Sequence, residues 1–164
     1  MRHGNQVEWA LHCAVTLAAL EPGQRLSGAA LAELYEAPPT YLAKALQAMA
    51  GAGLVDSAPG RGGGYSLARP ASAISLIDVI DAVQGSDPLF RCQEIRRRGP
   101  CRAVKARHFS KPCQLADAMA RAEAAWRDEL ARVTLEDVKR RVAHEVSPVI
   151  RSVLVDWTAS RVTS

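Results

Sequence analysis

The side chains in this sequence with the chemistry of a metal or redox site are four cysteines, Cys13, Cys92, Cys101 and Cys113, and the pair Glu8 and His12. No apolar run approaches the ~20 residues needed to cross a bilayer. Glu8 and His12 also interrupt the N-terminal apolar segment, so it does not read as a secretion signal. A cytoplasmic chain keeps its thiols reduced, so the cysteines read as ligands, redox centres or core residues rather than structural disulfides. Glu8 and His12 lie one helical turn apart; at that spacing they are either a charge pair on a solvated face or two donors able to face one metal atom. Trp9 and Cys13 repeat the spacing. His108 and His144 are isolated, and no nucleophile–base constellation is present, so the chain does not read as an enzyme.

Hydrophobic residues make up 48% of the 164 and charged residues 23%, enough for a packed core and too apolar for wholesale disorder. The formal net charge of +4 leans weakly toward a polyanionic partner. Arg96-Arg97-Arg98 reads as a solvated face that could also reach phosphates.

The elements that must position these groups follow in order. Val7, Leu11, Ala14, Val15 and Ala18 recur at helical spacing, predicting an amphipathic helix ended by Pro22-Gly23. Ser27 can cap a helix from Gly28 to Tyr35, and Pro38-Pro39 make a turn into a second helix that reaches about Ala52. Leu42, Leu46 and Met49 face inward on that helix, leaving Thr40, Tyr41, Lys44 and Gln47 to meet a DNA major groove. Leu54–Ser57 and Tyr65–Ala68 alternate like strands across the tip Pro59-Gly60-Arg61-Gly62-Gly63-Gly64. A P-loop would end in Gly-Lys-Ser/Thr before a helix, whereas a strand follows here. The tip instead suits a wing, with Arg61, Gly62, Gly63 and Tyr65 at the DNA backbone and minor groove.

Ser75 and Asp78 form a capping-box start for a helix from Leu76 to Gln84. Residues 86–112 read as a long, irregular and functional loop. From Cys113 a long helix carries Leu115, Met119, Ala122, Trp126, Leu130 and Val133 in a narrow seam, which predicts burial against a twin helix. Thr134 with Asp137 starts another helix, and beyond Ser147-Pro148 only Trp157 stands out.

The stretch YLAKALQAMAGAGLVDSAPGRGGGYSLARPASAISLIDVIDAVQG resembles the winged-helix family of bacterial regulators that includes IscR, NsrR, CymR and RsrR. The likeness spans about residues 5 to 133. It implies a homodimer on a double-stranded DNA operator, with a long helix crossing between subunits. Many members hold an iron–sulfur cluster in the loop before that helix, some with three closely spaced cysteines. The gaps between Cys92, Cys101 and Cys113 are longer and unequal. VEWALHCAV, FRCQEIRRRGP and PCQLADAM are instead similar to the 2Fe–2S branch of the family, that of RsrR. There the likeness implies ligation by Glu8 and His12 of one subunit and by Cys92 and Cys113 of the other. It places Trp9 as the side chain that responds to redox state, and leaves Cys101 as an alternative ligand.

The donor chemistry agrees: two thiolates supply the soft ligands a cluster demands, and an imidazole with a carboxylate lowers the negative charge around it. The same four groups would also satisfy tetrahedral zinc. The expected fold is mostly α with a small β-hairpin wing: a winged helix-turn-helix over 1–85, a cluster loop over 86–112, a dimerisation helix and its successor over 113–147, and a tail over 148–164. The expected function is a redox-sensing transcriptional regulator, a repressor by family habit. The alternative is a cluster-free, thiol- or ligand-responsive regulator of the same family, with Cys101 and Cys113 as the reactive pair.

Overall fold

Helix α1 (Asn5–Ala18) runs through the main apolar core, because Val7, Ala10, Cys13, Ala14 and Leu17 turn small or aliphatic side chains inward. The computed structural model describes residues 5–60 and 62–163. The buried stripe differs from the expected one: Leu11 and Val15 are only half-buried, while Ala10 and Cys13 go inside. Small side chains on that face admit close approach by the helices that pack there.

Helix α2 (Gly28–Leu34) starts at Ser27, whose hydroxyl accepts from the Ala30 N–H at 3.1 Å. Helix α3 (Pro39–Gly51) has Pro39 in its first turn and no side-chain cap on Pro38, and buries Leu42, Ala45, Leu46 and Met49. Strands β1 (Val55–Ala58) and β2 (Gly64–Leu67) pair antiparallel from Val55↔Leu67 to Ala58↔Gly64. A third backbone lies against β2: Leu26 and Tyr65 exchange N–H···O bonds of 3.1 and 2.8 Å. That approach requires glycine at position 64, where φ is +147° and a Cβ would sit 2.5 Å from the Leu26 carbonyl oxygen.

Helix α4 (Leu76–Gln84) opens with the Ser75/Asp78 capping box, and α6 (Leu135–Glu145) with the matching box of Thr134 and Asp137. The two caps are joined back to back. The Leu76 N–H donates to the Val133 carbonyl and the Leu135 N–H to the Ile74 carbonyl, both at 2.9 Å. The residues beyond Ser147 form helix α7 (Pro148–Ala159), which composition alone did not reveal. Its C-terminal end is anchored: Trp157 packs on the core, Arg161 pairs with Glu33 at 2.6 Å, and Thr163 bonds Arg25 through both backbone groups.

The chain divides into two compact units, one of residues up to Gly85 with those from Leu130 onward, the other Ser86–Glu129. The first unit runs to Gly85 and resumes at Leu130. That unit carries an apolar core, with no buried polar or charged side chain among the described residues. The second unit holds short 3₁₀ turns and most of helix α5 (Gln114–Arg132). No residue of α5 is buried; along its expected seam Leu115 and Met119 are 70% and 44% exposed, while Trp126 and Leu130 are half-buried. Among the described residues no helix is long and apolar enough to cross a membrane.

Candidate functional site

The candidate nucleic-acid face is built on α3 and the hairpin. With Leu42, Ala45, Leu46 and Met49 turned inward, Thr40, Tyr41, Lys44 and Gln47 are all exposed on the opposite side of α3. The Lys44 ammonium stands 6.0 Å from the centre of the Tyr41 ring. Arg61 lies outside the described residues. Gly62 is exposed with φ +89°, and Gly63 must be glycine because a Cβ there would lie 2.2 Å from the Ala58 carbonyl oxygen. Tyr65 differs from its neighbours at the tip. It is half-buried beside Gly28 and packs against the core, where it props the wing from below.

Glu8 and His12 lie one turn apart on α1 and are both exposed. The imidazole of His12 lies 5.2 Å from the Tyr35 ring, tilted by 41°. Its backbone carbonyl accepts from the Thr16 hydroxyl at 3.1 Å and the Tyr35 hydroxyl at 3.3 Å, so the residue just after α2 steadies the turn that carries it. Trp9 is half-buried against the core. Cys13 is enclosed in that core, and burial pushes its thiol up to about 12, which makes it a packing residue.

The second unit brings two of the four cysteines together. Ligand atoms of Cys92, Glu94 and Cys113 lie within 4.8 Å of one another. Cys101, half-buried, is not in this group. Cys113 sits immediately before α5, and the N–H groups of Ala116 and Leu115 hold its thiol below the usual range, with Cys92 and Arg96 adding to the effect.

The part of this site that sequence reasoning missed is Arg96. Far from lying on a solvated face, its guanidinium grips both oxygens of Glu94, at 2.5 and 3.0 Å. It also donates to the backbone carbonyls of Lys111 at 2.6 Å and Pro112 at 3.4 Å. The ring of Phe109 lies 5.6 Å from Arg96 and 5.7 Å from Arg97. Arg96 thereby ties the backbone after Cys92 to the backbone before Cys113. Glu94 has φ +51°, a left-handed conformation unusual for a non-glycine residue. Its carboxyl is held below the usual carboxylate range by Arg96. The charge pattern C-x-E-x-R, visible in the sequence, was the available signal.

A helix with an exposed polar face, a glycine-tipped hairpin and a cysteine pair ahead of a long helix lead to one family. The sequence pattern of Rrf2, described as an iron-dependent transcriptional regulator, matches residues 3–141. This chain belongs to the Rrf2 family. As an Rrf2 protein it is a DNA-binding transcriptional regulator and not an enzyme; members bind DNA and commonly act as dimers. It is similar to YwgB of Bacillus subtilis (strain 168), an HTH-type transcriptional regulator by its name, at 28% identity over 142 residues, or 87% of this chain and 86% of YwgB. The oxidised form of Staphylococcus aureus CymR superposes with a TM-score of 0.63 at 25% identity, covering 85% of this chain and 96% of that one. T. potens IscR superposes at 0.67 with 19% identity over 92% and 96%, a likeness of fold.

Proposed function

We propose that this Rrf2 protein is a homodimeric regulator that senses redox state through a 2Fe–2S cluster held by Glu8 and His12 of one subunit and Cys92 and Cys113 of the other. One observation carries the reading: two cysteines separated by twenty residues of irregular chain stand with their ligand atoms within 4.8 Å. The donor set fits the group. Two thiols held close together supply the soft sulfur ligands, and an exposed carboxylate and imidazole one turn apart supply the harder pair. When bound, the cluster would supply reversible one-electron redox chemistry.

The chain's own residues account for how such a signal reaches DNA. Helix α1 carries both harder donors and Trp9, and it packs directly against α3, the helix that presents Lys44 and Gln47. A change in the orientation of α1 is therefore felt where DNA is read, without a flexible relay in between. The exposed seam of α5 is proposed to pair with the same helix of the second copy.

The test is an ultraviolet–visible spectrum of anaerobically purified protein before and after dithionite, with iron and sulfide assayed alongside. A coloured protein that bleaches and recovers in air is expected, and His12→Ala should perturb the spectrum while the dimer persists. Colourless, iron-free protein would overturn the cluster. It would select the cluster-free, thiol-responsive alternative, for which the structure groups Cys113 with Cys92 and not with Cys101.

A further inference from the structure

We infer that Cys92 and Cys113 form a reversible intramolecular disulfide in the metal-free protein, a modification that removes both soft donors from the cluster site. The inference needs the two thiols to be close, free and able to move. Their ligand atoms lie within 4.8 Å of one another. A disulfide has sulfurs about 2 Å apart, so the pair must close by roughly another 2–3 Å, within the range of side-chain rotation at two non-helical positions. Cys92 lies in irregular, exposed backbone and Cys113 is the residue before α5, so neither rotation disturbs a packed core. Both are free thiols.

The other two cysteines do not compete. Cys13 is fully buried in the first unit, and Cys101 stands outside the cluster of donors. The Arg96 bonds to Glu94, Lys111 and Pro112 hold the flanking backbone of both thiols, so their separation is a built feature of the loop rather than a chance approach.

The chemistry balances with a peroxide as oxidant. One thiolate of the pair attacks the O–O bond, giving a sulfenic acid and hydroxide. The second thiol then attacks that sulfur, forming the S–S bond and releasing water. Two electrons leave the two sulfurs and reduce one peroxide. A dithiol reverses the reaction.

This inference shares its cysteines with the cluster reading but does not require a cluster. Full-length protein is stripped with a chelator, reduced, desalted and treated with equimolar hydrogen peroxide, then alkylated and mapped by mass spectrometry. The Cys92–Cys113 peptide should exceed Cys101-linked products by about ten-fold or more, since a resolving thiol already in place has a high effective concentration. Cys101→Ser should give the same yield. A dominant disulfide through Cys101, or sulfinic acid at Cys113 with Cys92 still free, would overturn the inference. In a second arm, the disulfide form is incubated with ferrous iron and sulfide before and after dithiothreitol. Uptake only after reduction is expected, and uptake by the intact disulfide would overturn the claim that it takes both donors away. If the disulfide forms but reduced protein takes up no iron, the cluster reading fails and the disulfide stands.

Discussion

Arg96 holds Glu94 at two points, Nε to Oε1 at 2.5 Å and Nη2 to Oε2 at 3.0 Å, and the same guanidinium reaches the carbonyl of Lys111 across fourteen intervening residues. The loop between the paired cysteines has few apolar contacts of its own, so this grip carries much of its order. Arg96→Ala should raise amide hydrogen exchange between Glu94 and Pro112 by about ten-fold, the size expected for losing hydrogen bonds to a charged group. Exchange within α3 and α4 should be unchanged, because those helices draw on the separate apolar core.

The cysteines should separate by reactivity. In metal-free, reduced protein at neutral pH, iodoacetamide should modify Cys113 first, because N–H groups at the start of α5, the neighbouring thiol and Arg96 favour its thiolate. Cys13, raised to about 12 by burial, should stay unmodified until the protein unfolds. Timed alkylation with peptide mapping checks the order.

Sequence patterning revealed much of this arrangement, for identifiable reasons. The caps at Ser27, Ser75 and Thr134, the inward set Leu42, Leu46 and Met49, and the hairpin all rest on local rules, and the structure follows them within a residue or two. What stayed hidden depends on distant contacts. Tyr35 steadies the turn of His12 from the cap that follows α2, Arg96 finds carbonyls fifteen and sixteen residues away, and α7 owes its anchorage to Arg25 and Glu33 at the other end of the chain. No period or spacing encodes such partners.

Acid stability should depend on the cap of α6. Asp137 accepts from the Thr134 N–H and hydroxyl and pairs with Arg140, which lowers its carboxyl to about 2. A folded-state value below the ordinary aspartate value near 3.9 contributes stability that is complete above about pH 4 and lost as the pH falls toward 2. Asp137→Asn should therefore be less stable than the parent at pH 7, with the difference shrinking through that window. Urea denaturation at pH 7, 4 and 2.5 measures it.

Position 64 admits only glycine. Gly64→Ala would force a Cβ to 2.5 Å from the Leu26 carbonyl at φ +147°, and a cost of about 1–3 kcal/mol is expected for holding that geometry. Chemical denaturation should show the loss, and the altered wing should weaken DNA binding beyond what stability explains.

Lys44→Ala tests the reading helix directly. Its exposed ammonium on α3 is expected to contribute about 1–3 kcal/mol of DNA affinity if it reaches a base edge. If it reaches a phosphate instead, the slope of log affinity against log salt should fall by about one. Titrations at several salt concentrations distinguish the two, with far-UV circular dichroism as a control that the fold is intact.

The back-to-back caps fix the point to which the chain returns. Leu135 is fully buried and its N–H is bonded to Ile74, so α6 is locked to the entrance of α4 whatever the intervening segment does. Residues 86–129 are thus an excursion spliced between two firmly seated ends. Such an architecture makes the segment between those ends interchangeable, whatever signal it is proposed to read. A lineage, or an engineer, could replace the cysteine loop with one answering a different signal and leave the operator preference of the reader as it was.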